Sequence, residues 1–261
     1  MIEKWWTTDA SRDGMKIMDG FDPATSFGAD AAARYDEAPR GDEELAVRFL
    51  AELAGDQDAL EFAIGAGRIA LPLARSGVDV DGIELSPDMV EVLRRDPVGV
   101  DLAVAMGDMS RVDGPGGPYG LVYLVFNTIG NLITQDDQVR CFANAARQLT
   151  DDGAFVIETG TGWGWIKDRT NYVDAEQVDA DAVTLDVCRY DRATQLLEEN
   201  HVRIAADGIR LSPIVQRVAP PAELDLMARL AGLRLAERYG WWDRRPFDQH
   251  CDAHVSVYRR V

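Results

Sequence analysis

Three acidic residues recur at nearly equal spacing in the middle of this sequence. Glu61, Glu84 and Asp108 are separated by 23 and 24 residues, and each lies near the end of a short apolar run that is typical of a strand. Because the carboxyl ends of parallel strands meet at one edge of a sheet, we expect the three carboxylates to line one crevice. Such carboxylates can hold ribose hydroxyls, an adenine amino group or a cationic group. The spacing therefore predicts a nucleotide-sized site with an acidic edge.

A glycine-rich turn follows the first of these acids. Gly65 and Gly67 in EFAIGAG let a ligand approach the backbone, where a side chain would block it. The same glycines with Ala70 also fit the dinucleotide fingerprint, so the turn alone leaves an NAD(P)-dependent oxidoreductase open. A protein that binds a cofactor without catalysing a reaction is another open alternative, because no catalytic base is evident.

The elements that must position these residues alternate between strand and helix. Strands are predicted near 59–64, 78–84, 100–105, 119–126 and 153–158, with Ser86 and Thr134 as helix N-caps. A helix that starts at Pro221 carries Leu224, Met227 and Leu230 on one side, and strands near 233–239 and 253–260 follow. This alternation predicts an α/β fold with a doubly wound, mostly parallel sheet and a late antiparallel strand.

Two further segments surround the predicted sheet. Residues 161–218 contain short alternating strands, with Asp207-Gly208 at the position of a two-residue turn, and predict a small antiparallel β insert. We expect this insert to cover the site or to form a homodimer contact. The first fifty residues carry scattered aromatic side chains before an amphipathic helix and predict a lid. The predicted domains are therefore 1–50 for the lid and helix, 51–160 with 219–261 for the core, and 161–218 for the insert.

The motifs together resemble the class I S-adenosylmethionine-dependent methyltransferases, in particular their small-molecule branch. EFAIGAG, GIELS, GDM, LVYLVFNTIGNL and LTDDGAFVIE resemble successive motifs of that family over residues 35–160. The resemblance implies a Rossmann-like core, S-adenosylmethionine as cofactor, and methyl transfer to an oxygen, nitrogen or carbon atom of a small metabolite. It also implies that the cofactor contacts Tyr35, Glu61, Ala63, Gly65, Gly67, Arg68, Glu84, Leu85, Met89, Asp108, Met109 and Phe126.

Within that set the resemblance implies separate roles. Glu61 and the turn would hold the aminocarboxylate end of the cofactor, Glu84 its ribose, and Asp108 with Met109 its adenine, while Tyr35 would close beside the sulfonium. Ala63 stands where the family has its first glycine. Since alanine disfavours a positive φ, we expect an extended backbone at this position.

The acceptor side is less specific in the sequence. Asn127 follows the fourth predicted strand and can orient an acceptor through its amide. His250, in a loop after two tryptophans, is the preferred proton acceptor over His201 in the insert and His254 in a strand pattern. The candidate catalytic residues are therefore His250, Asn127 and Tyr35. No cluster of residues has metal-ligand spacing, so no metal is expected.

Composition limits the partners. With 45 acidic against 27 basic residues, a formal charge of −18 disfavours nucleic acid and anionic membranes. No apolar run approaches the roughly 18 residues that span a bilayer, and no signal sequence is evident. The three cysteines are widely spaced and predict free thiols. We therefore expect a cytoplasmic protein that binds a small-molecule methyl acceptor.

Overall fold

The computed structural model describes residues 40–261 and five isolated positions before them, Met18, Phe21, Ser26, Gly28 and Ala32. Tyr35 and most of the predicted lid lie outside the described residues. The helices are α1 (Glu43–Ala54), α2 (Ala70–Arg75), α3 (Pro87–Leu93), α4 (Pro97–Asp101), α5 (Gln135–Gln148) and α6 (Pro221–Leu230), with a 3-10 turn at Thr128–Asn131. None of the described helices is long and apolar enough to cross a membrane.

A seven-stranded sheet forms the core. Its strands are β1 (Ala59–Phe62), β2 (Val80–Glu84), β3 (Val104–Met106), β4 (Tyr119–Leu124), β5 (Leu149–Gly160), β10 (Leu233–Tyr239) and β11 (Ala253–Arg260). The order is β10-β11-β5-β4-β1-β2-β3, and β11 alone runs antiparallel to its neighbours. Every residue of β1 and β4 is buried because helices cover both faces of the sheet. The predicted fold class is confirmed.

A separate four-stranded antiparallel sheet forms the insert. Its strands are β6 (Asn171–Val178), β7 (Ala182–Asp191), β8 (Leu196–Ala205) and β9 (Gly208–Arg217), in that order. Ala205 pairs with Gly208, so the turn between β8 and β9 contains Ala206 and Asp207, one residue earlier than predicted. Gly208 instead opens β9 with a φ of +133°, a conformation that glycine adopts most readily.

N-cap side chains mark the start of three of the helices. Ser86 and Thr134 accept hydrogen bonds from the backbone N–H groups of Met89 and Asp137, which confirms both predicted N-caps. The third strand begins at residue 104 rather than 100, because Asp96 caps the short helix α4, whose first residue is a proline.

The predicted apolar side of α6 is wrong at one position. Leu224 and Met227 are buried, but Leu230 is 75% exposed. Six residues separate Leu224 from Leu230, which places them about 240° apart around a helix of 3.6 residues per turn. The buried side of α6 continues instead through Ala228.

Candidate active site

A cavity of about 690 Å³ lies between the carboxyl edge of the parallel sheet and one face of the insert. This volume is within the usual range for a small-molecule site. The described lining residues from the core include Ala63, Ile83, Glu84, Leu85, Ser86, Met89, Gly107, Asp108, Met109, Phe126, Asn127 and Asp137, with Arg40 before α1. Those from the insert and the segment before it include Trp165, Asp174, Glu176, Asp186, Glu199, His201 and Gln216.

Glu84 ends β2 and is held by three backbone N–H groups. Gly65 donates to its Oε2 at 2.8 Å, and Leu85 and Ser86 donate to its Oε1 at 2.9 and 2.8 Å. Burial raises the pKa of this carboxyl, and the three N–H groups oppose that shift. The carboxyl is therefore fixed at the sheet edge, where its remaining lone pairs can accept hydroxyl groups of a ligand.

The glycine turn adopts a left-handed backbone at alternate positions. Ala63 has a φ of +54°, so the expected extended backbone is wrong; Gly65 and Gly67 have φ values of +58° and +87°. The chain must reverse from β1 into α2 over a few residues, and the turn imposes this conformation on alanine. A Cβ atom at Gly67 would lie 2.5 Å from Leu93 Cδ1, so only glycine fits there.

Glu61 and Arg68 stand on either side of the glycine turn in the chain, and each is held by contacts with other elements. Glu61 is 3% exposed, and Tyr123 donates to its Oε2 at 3.0 Å. Burial raises the pKa of Glu61 to about 8. Arg68 Nη1 lies 2.7 Å from Asp42 Oδ1 and 3.3 Å from Glu43 Oε1, which fixes the start of α1 to the turn. Glu61, Gly65, Gly67 and Arg68 are not among the described residues that line the cavity.

Asp108 and three apolar side chains form a slot beside Glu84. Ser110 donates its N–H to Asp108 Oδ1 at 2.8 Å, and Arg111 Nε lies 3.2 Å from Oδ2. Leu85, Met89 and Met109 line the cavity next to this acid. An acceptor carboxylate between apolar surfaces can bind a planar base with an amino group.

Phe126 and Asn127 form a turn at the end of β4 with φ values of +60° and +56°. Glu158 on β5 accepts the N–H of Phe126 through its side chain and the N–H of Asn127 through its carbonyl oxygen at 3.2 Å. Asn127 Oδ1 accepts the Thr159 hydroxyl at 2.9 Å. Burial raises the pKa of Glu158 to about 7. Both turn residues were predicted from sequence, but Glu158 was missed, although it lies near the end of an apolar strand, as Glu84 does.

The insert supplies a wall that sequence reasoning also missed. Asp174, Glu176, Asp186 and Glu199, which we call the acidic wall, line the cavity from β6, β7 and β8 together with His201. Asp186 pairs with Asp174 on one side and with His201 on the other, so these three share one face of the sheet. The sequence does show acids at alternate positions in these short strands. Which face of the sheet their side chains occupy, however, depends on how the strands pair.

The other predicted acceptor residues are dispersed. His250 is exposed in the loop before β11, beside Gln249, and is not among the described lining residues. His254 is fully buried, and desolvation lowers its pKa to about 3. The structure thus brings Asn127 to the cavity and leaves His250 outside it.

Comparisons with known proteins agree with this geometry. Residues 59–153 match a family described as "Methyltransferase domain". A dTDP-3-amino-3,6-dideoxy-alpha-D-glucopyranose N,N-dimethyltransferase of Streptomyces fradiae is 29% identical over 172 residues, or 62% of this chain. The chain spans less than two thirds of the curated relatives it matches, 65% of this one and 40% of the putative methyltransferase YqeM of Bacillus subtilis.

Solved structures match over more of the chain. The CcbJ methyltransferase from Streptomyces caelestis is 36% identical, with a TM-score of 0.86 over 92% of this chain and 100% of that one. CalS10, an amino pentose methyltransferase from Micromonospora echinaspora with bound S-adenosylmethionine, is 25% identical, with a TM-score of 0.63 over 89% of this chain and 96% of that one.

A Rossmann-like sheet with a glycine turn and an acid after its second strand defines a nucleotide-dependent α/β protein. The chain belongs to the class I S-adenosylmethionine-dependent methyltransferases, as the motifs indicated, and its cofactor is S-adenosylmethionine. The family assignment decides between the two cofactors that the glycine turn allowed. The described residues fit this cofactor, because Glu84 and Asp108 supply acceptor carboxylates to a cavity that Leu85, Met89 and Met109 also line.

Proposed function

We propose that this protein transfers the methyl group of S-adenosylmethionine to an amine nitrogen of a small, cationic metabolite. The observation that supports this most is the charge of the cavity. Its described lining residues include seven carboxylates, against Arg40 and His201 as the basic side chains. Arg111, Arg140 and Lys167 offset the charges of Asp108, Asp137 and Asp174. The attraction for a protonated amine would therefore come mainly from Asp186 and Glu199 of the insert. The seven are Glu84, Asp108, Asp137, Asp174, Glu176, Asp186 and Glu199.

The acidic wall has hydrogen-bonding capacity for a ligand. Among the described side chains, none donates to the buried Oδ1 of Asp186. Glu199 is 5% exposed and receives one long contact, 3.4 Å from Gln216 Nε2, and burial raises its pKa to about 7. Buried acceptors without donors are rare in folded proteins. The N–H groups of an ammonium ligand would satisfy these oxygens.

Two of the related proteins support an amine acceptor. The Streptomyces fradiae relative is named as an N,N-dimethyltransferase of an amino sugar, and CalS10 as an amino pentose methyltransferase. Their names describe acceptors that carry an amino group, and the acidic wall of this chain has the chemistry to receive one. We therefore extend the amine class, and not a particular sugar, to this protein.

Catalysis by this chain rests mainly on positioning. When bound, the cofactor supplies an electrophilic methyl carbon on a sulfonium. Glu84 and Asp108 would orient its ribose and adenine, while Asn127 and the acidic wall would orient the acceptor. Holding two reactants in near-attack geometry supplies roughly 7–11 kcal/mol of the barrier reduction. Tyr35, outside the described residues, and His250 remain proposals for closure and for proton transfer.

A matched acceptor panel tests the proposal. The purified protein is incubated with tritiated-methyl S-adenosylmethionine and with glucosamine, galactosamine or 3-amino-3-deoxyglucose, each beside the sugar that has a hydroxyl in place of the amine. We expect label in amines and none in the matched hydroxyl compounds. Glu84→Ala should abolish transfer, which shows that the signal is enzymatic. Transfer to the hydroxyl compounds alone, or no transfer to any amine by protein that binds S-adenosylhomocysteine, would contradict the proposal.

Two finer points stay predictions. Contact between two copies of the chain through the insert is testable by light scattering of the purified protein. A cytoplasmic location is testable by fractionation of the source cells.

A further inference from the structure

We infer that His201 and Glu176 form a proton-accepting pair for the acceptor nitrogen, with His201 as a catalytic residue and Glu176 as the residue that positions it. This inference rests on the proposed amine acceptor. Both side chains line the cavity, and His201 Nδ1 lies 3.0 Å from Glu176 Oε2. Sequence reasoning favoured His250, which the structure places outside the cavity.

The sheet brings the pair together across an intervening strand. His201 lies on β8 and Glu176 on β6, with β7 between them. The pairing of β6 with β7 shifts register between Ala175 and Gln177, so Glu176 occupies a bulge. A bulge frees one residue from the ladder and redirects its side chain, and bulges are frequent beside active sites. Here the bulged residue is the one that contacts the histidine.

The contact fixes which imidazole nitrogen can accept a proton. An ionised carboxylate offers acceptors only, so the ring nitrogen that faces Glu176 must carry the hydrogen. The neutral imidazole of His201 then has Nε2 as its acceptor. In hydrolytic triads a carboxylate orients the histidine base in the same way. Nε2 is then the ring nitrogen left to accept a proton from a ligand.

An amine acceptor needs such a group because its protonated form has no lone pair. The acidic wall attracts the ammonium form, and Asp174 is partly neutralised by Lys167 Nζ at 3.3 Å. Asp186 and Glu199 line the same cavity as His201. The ammonium N–H bond breaks and its proton passes to Nε2; the freed lone pair forms the new C–N bond, while the C–S electron pair stays on sulfur. The His201 side chain is 37% exposed, so it can return the proton to water.

The first test needs no turnover. Nitrogen-15 NMR of the imidazole side chains in the S-adenosylhomocysteine complex reports which ring nitrogen carries hydrogen. We expect His201 to hold it on Nδ1 in the wild type and to populate both tautomers in Glu176→Gln. Asp181→Asn removes an exposed acid from the turn between β6 and β7 and serves as the matched control with an unchanged spectrum. A His201 tautomer that ignores Glu176→Gln would overturn the positioning role.

The second test follows transfer to the best amine of the panel above. We expect His201→Gln to lower kcat about 100-fold at pH 7, within the usual contribution of a general base, with a smaller change in the acceptor KM. Raising the pH from 7 to 9 should increase the kcat of His201→Gln at least tenfold. At the higher pH a larger fraction of the amine acceptor is already deprotonated and needs no base. A rise in KM alone, or a kcat loss that pH does not restore, would overturn the inference.

The two proposals fail in different ways. Absence of amine methylation by the wild type contradicts the proposed function. Wild-type methylation of amines with His201→Gln equally active contradicts only the role of His201. Loss of kcat in His250→Gln with His201→Gln unaffected would assign proton transfer to the loop histidine instead.

Discussion

The backbone N–H of Gly65 donates to Glu84 Oε2 across 2.8 Å, so the glycine turn and the acid at the end of the second strand form one structural unit. Two motifs that stand nineteen residues apart in the chain thereby fix each other's geometry. The same carboxyl also accepts the N–H groups of Leu85 and Ser86, the residues that lead into α3. A change at Glu84 should therefore disturb the cofactor site as a whole.

Replacing Glu84 by glutamine should weaken S-adenosylhomocysteine binding about 10- to 100-fold. Hydrogen bonds to a charged group contribute about 1.5–3 kcal/mol, and the new amide NH2 group would face at least one backbone N–H. Isothermal titration calorimetry measures the effect. Asp101→Asn, an exposed acid at the end of α4, is the control. Equal affinities of Glu84→Gln and the wild type would show that this carboxyl does not hold the cofactor.

Ala63→Gly should leave the stability unchanged or raise it by up to about 1.5 kcal/mol. A left-handed backbone costs alanine about 1–2 kcal/mol, and the greater chain entropy of glycine offsets roughly 0.5–1 kcal/mol of the gain. Ala66→Gly in the same turn, whose φ is not positive, should destabilise by about 0.5–1 kcal/mol. Urea unfolding of the two variants gives the comparison. If Ala63→Gly is the more destabilised of the two, the left-handed conformation of Ala63 is wrong.

Glu61→Gln should flatten the pH dependence of stability between about pH 4.5 and 8. Burial raises the pKa of Glu61 from 4.5 to about 8, so the folded protein keeps a proton that the unfolded chain releases. Its stabilising contribution is complete below pH 4.5 and is lost as the pH rises through 8, with a slope of at most about 1.4 kcal/mol per pH unit. Urea unfolding at pH 5, 6, 7 and 8 measures this slope. Glu91→Gln, at an exposed position, should keep the wild-type slope; identical slopes in both variants would refute the shift.

Asn127→Ala should destabilise the protein more than Asn127→Gly, by about 1 kcal/mol. Both variants lose the side-chain oxygen that accepts from Thr159, but only alanine must also adopt a φ of +56°. Chemical denaturation separates the two contributions. Amine transfer should fall in both variants, since neither retains an amide to orient the acceptor. Equal stability of the two variants would remove the backbone explanation, and full activity in either would remove Asn127 from the site.

The positions of the core acids that line the cavity could be predicted because they follow local rules. Glu84 ends β2 and Asp108 lies two residues after β3, and strand ends in a parallel sheet meet at one edge whatever the details of packing. Ser86 as an N-cap is likewise decided within a few residues of chain. At these positions a local sequence pattern is enough to predict where the residue lies in the fold.

The acceptor half could not be predicted in the same way. Whether His201 faces a cavity or solvent depends on the register of β8 and on which face of the insert turns toward the core. Glu176 meets His201 across the intervening strand β7 from a bulge in β6, and β6 itself consists largely of exposed residues with no strong strand pattern. The backbone conformation of Ala63 could not be predicted from its motif either, since the surrounding turn imposes its positive φ.

The sequence by itself thus determined the class of fold and the acids near the strand ends, because these depend on periodicity and on short-range geometry. The cofactor followed from the resemblance of its motifs to a known family. Only the tertiary structure decided the sign of charge around the acceptor, the place of His201 beside Glu176 and the exclusion of His250 from the cavity. The physical reason is that the cavity forms between two sheets. Side chains from β6, β7 and β8 contribute to it through strand pairings whose orientation toward the core is set by long-range packing.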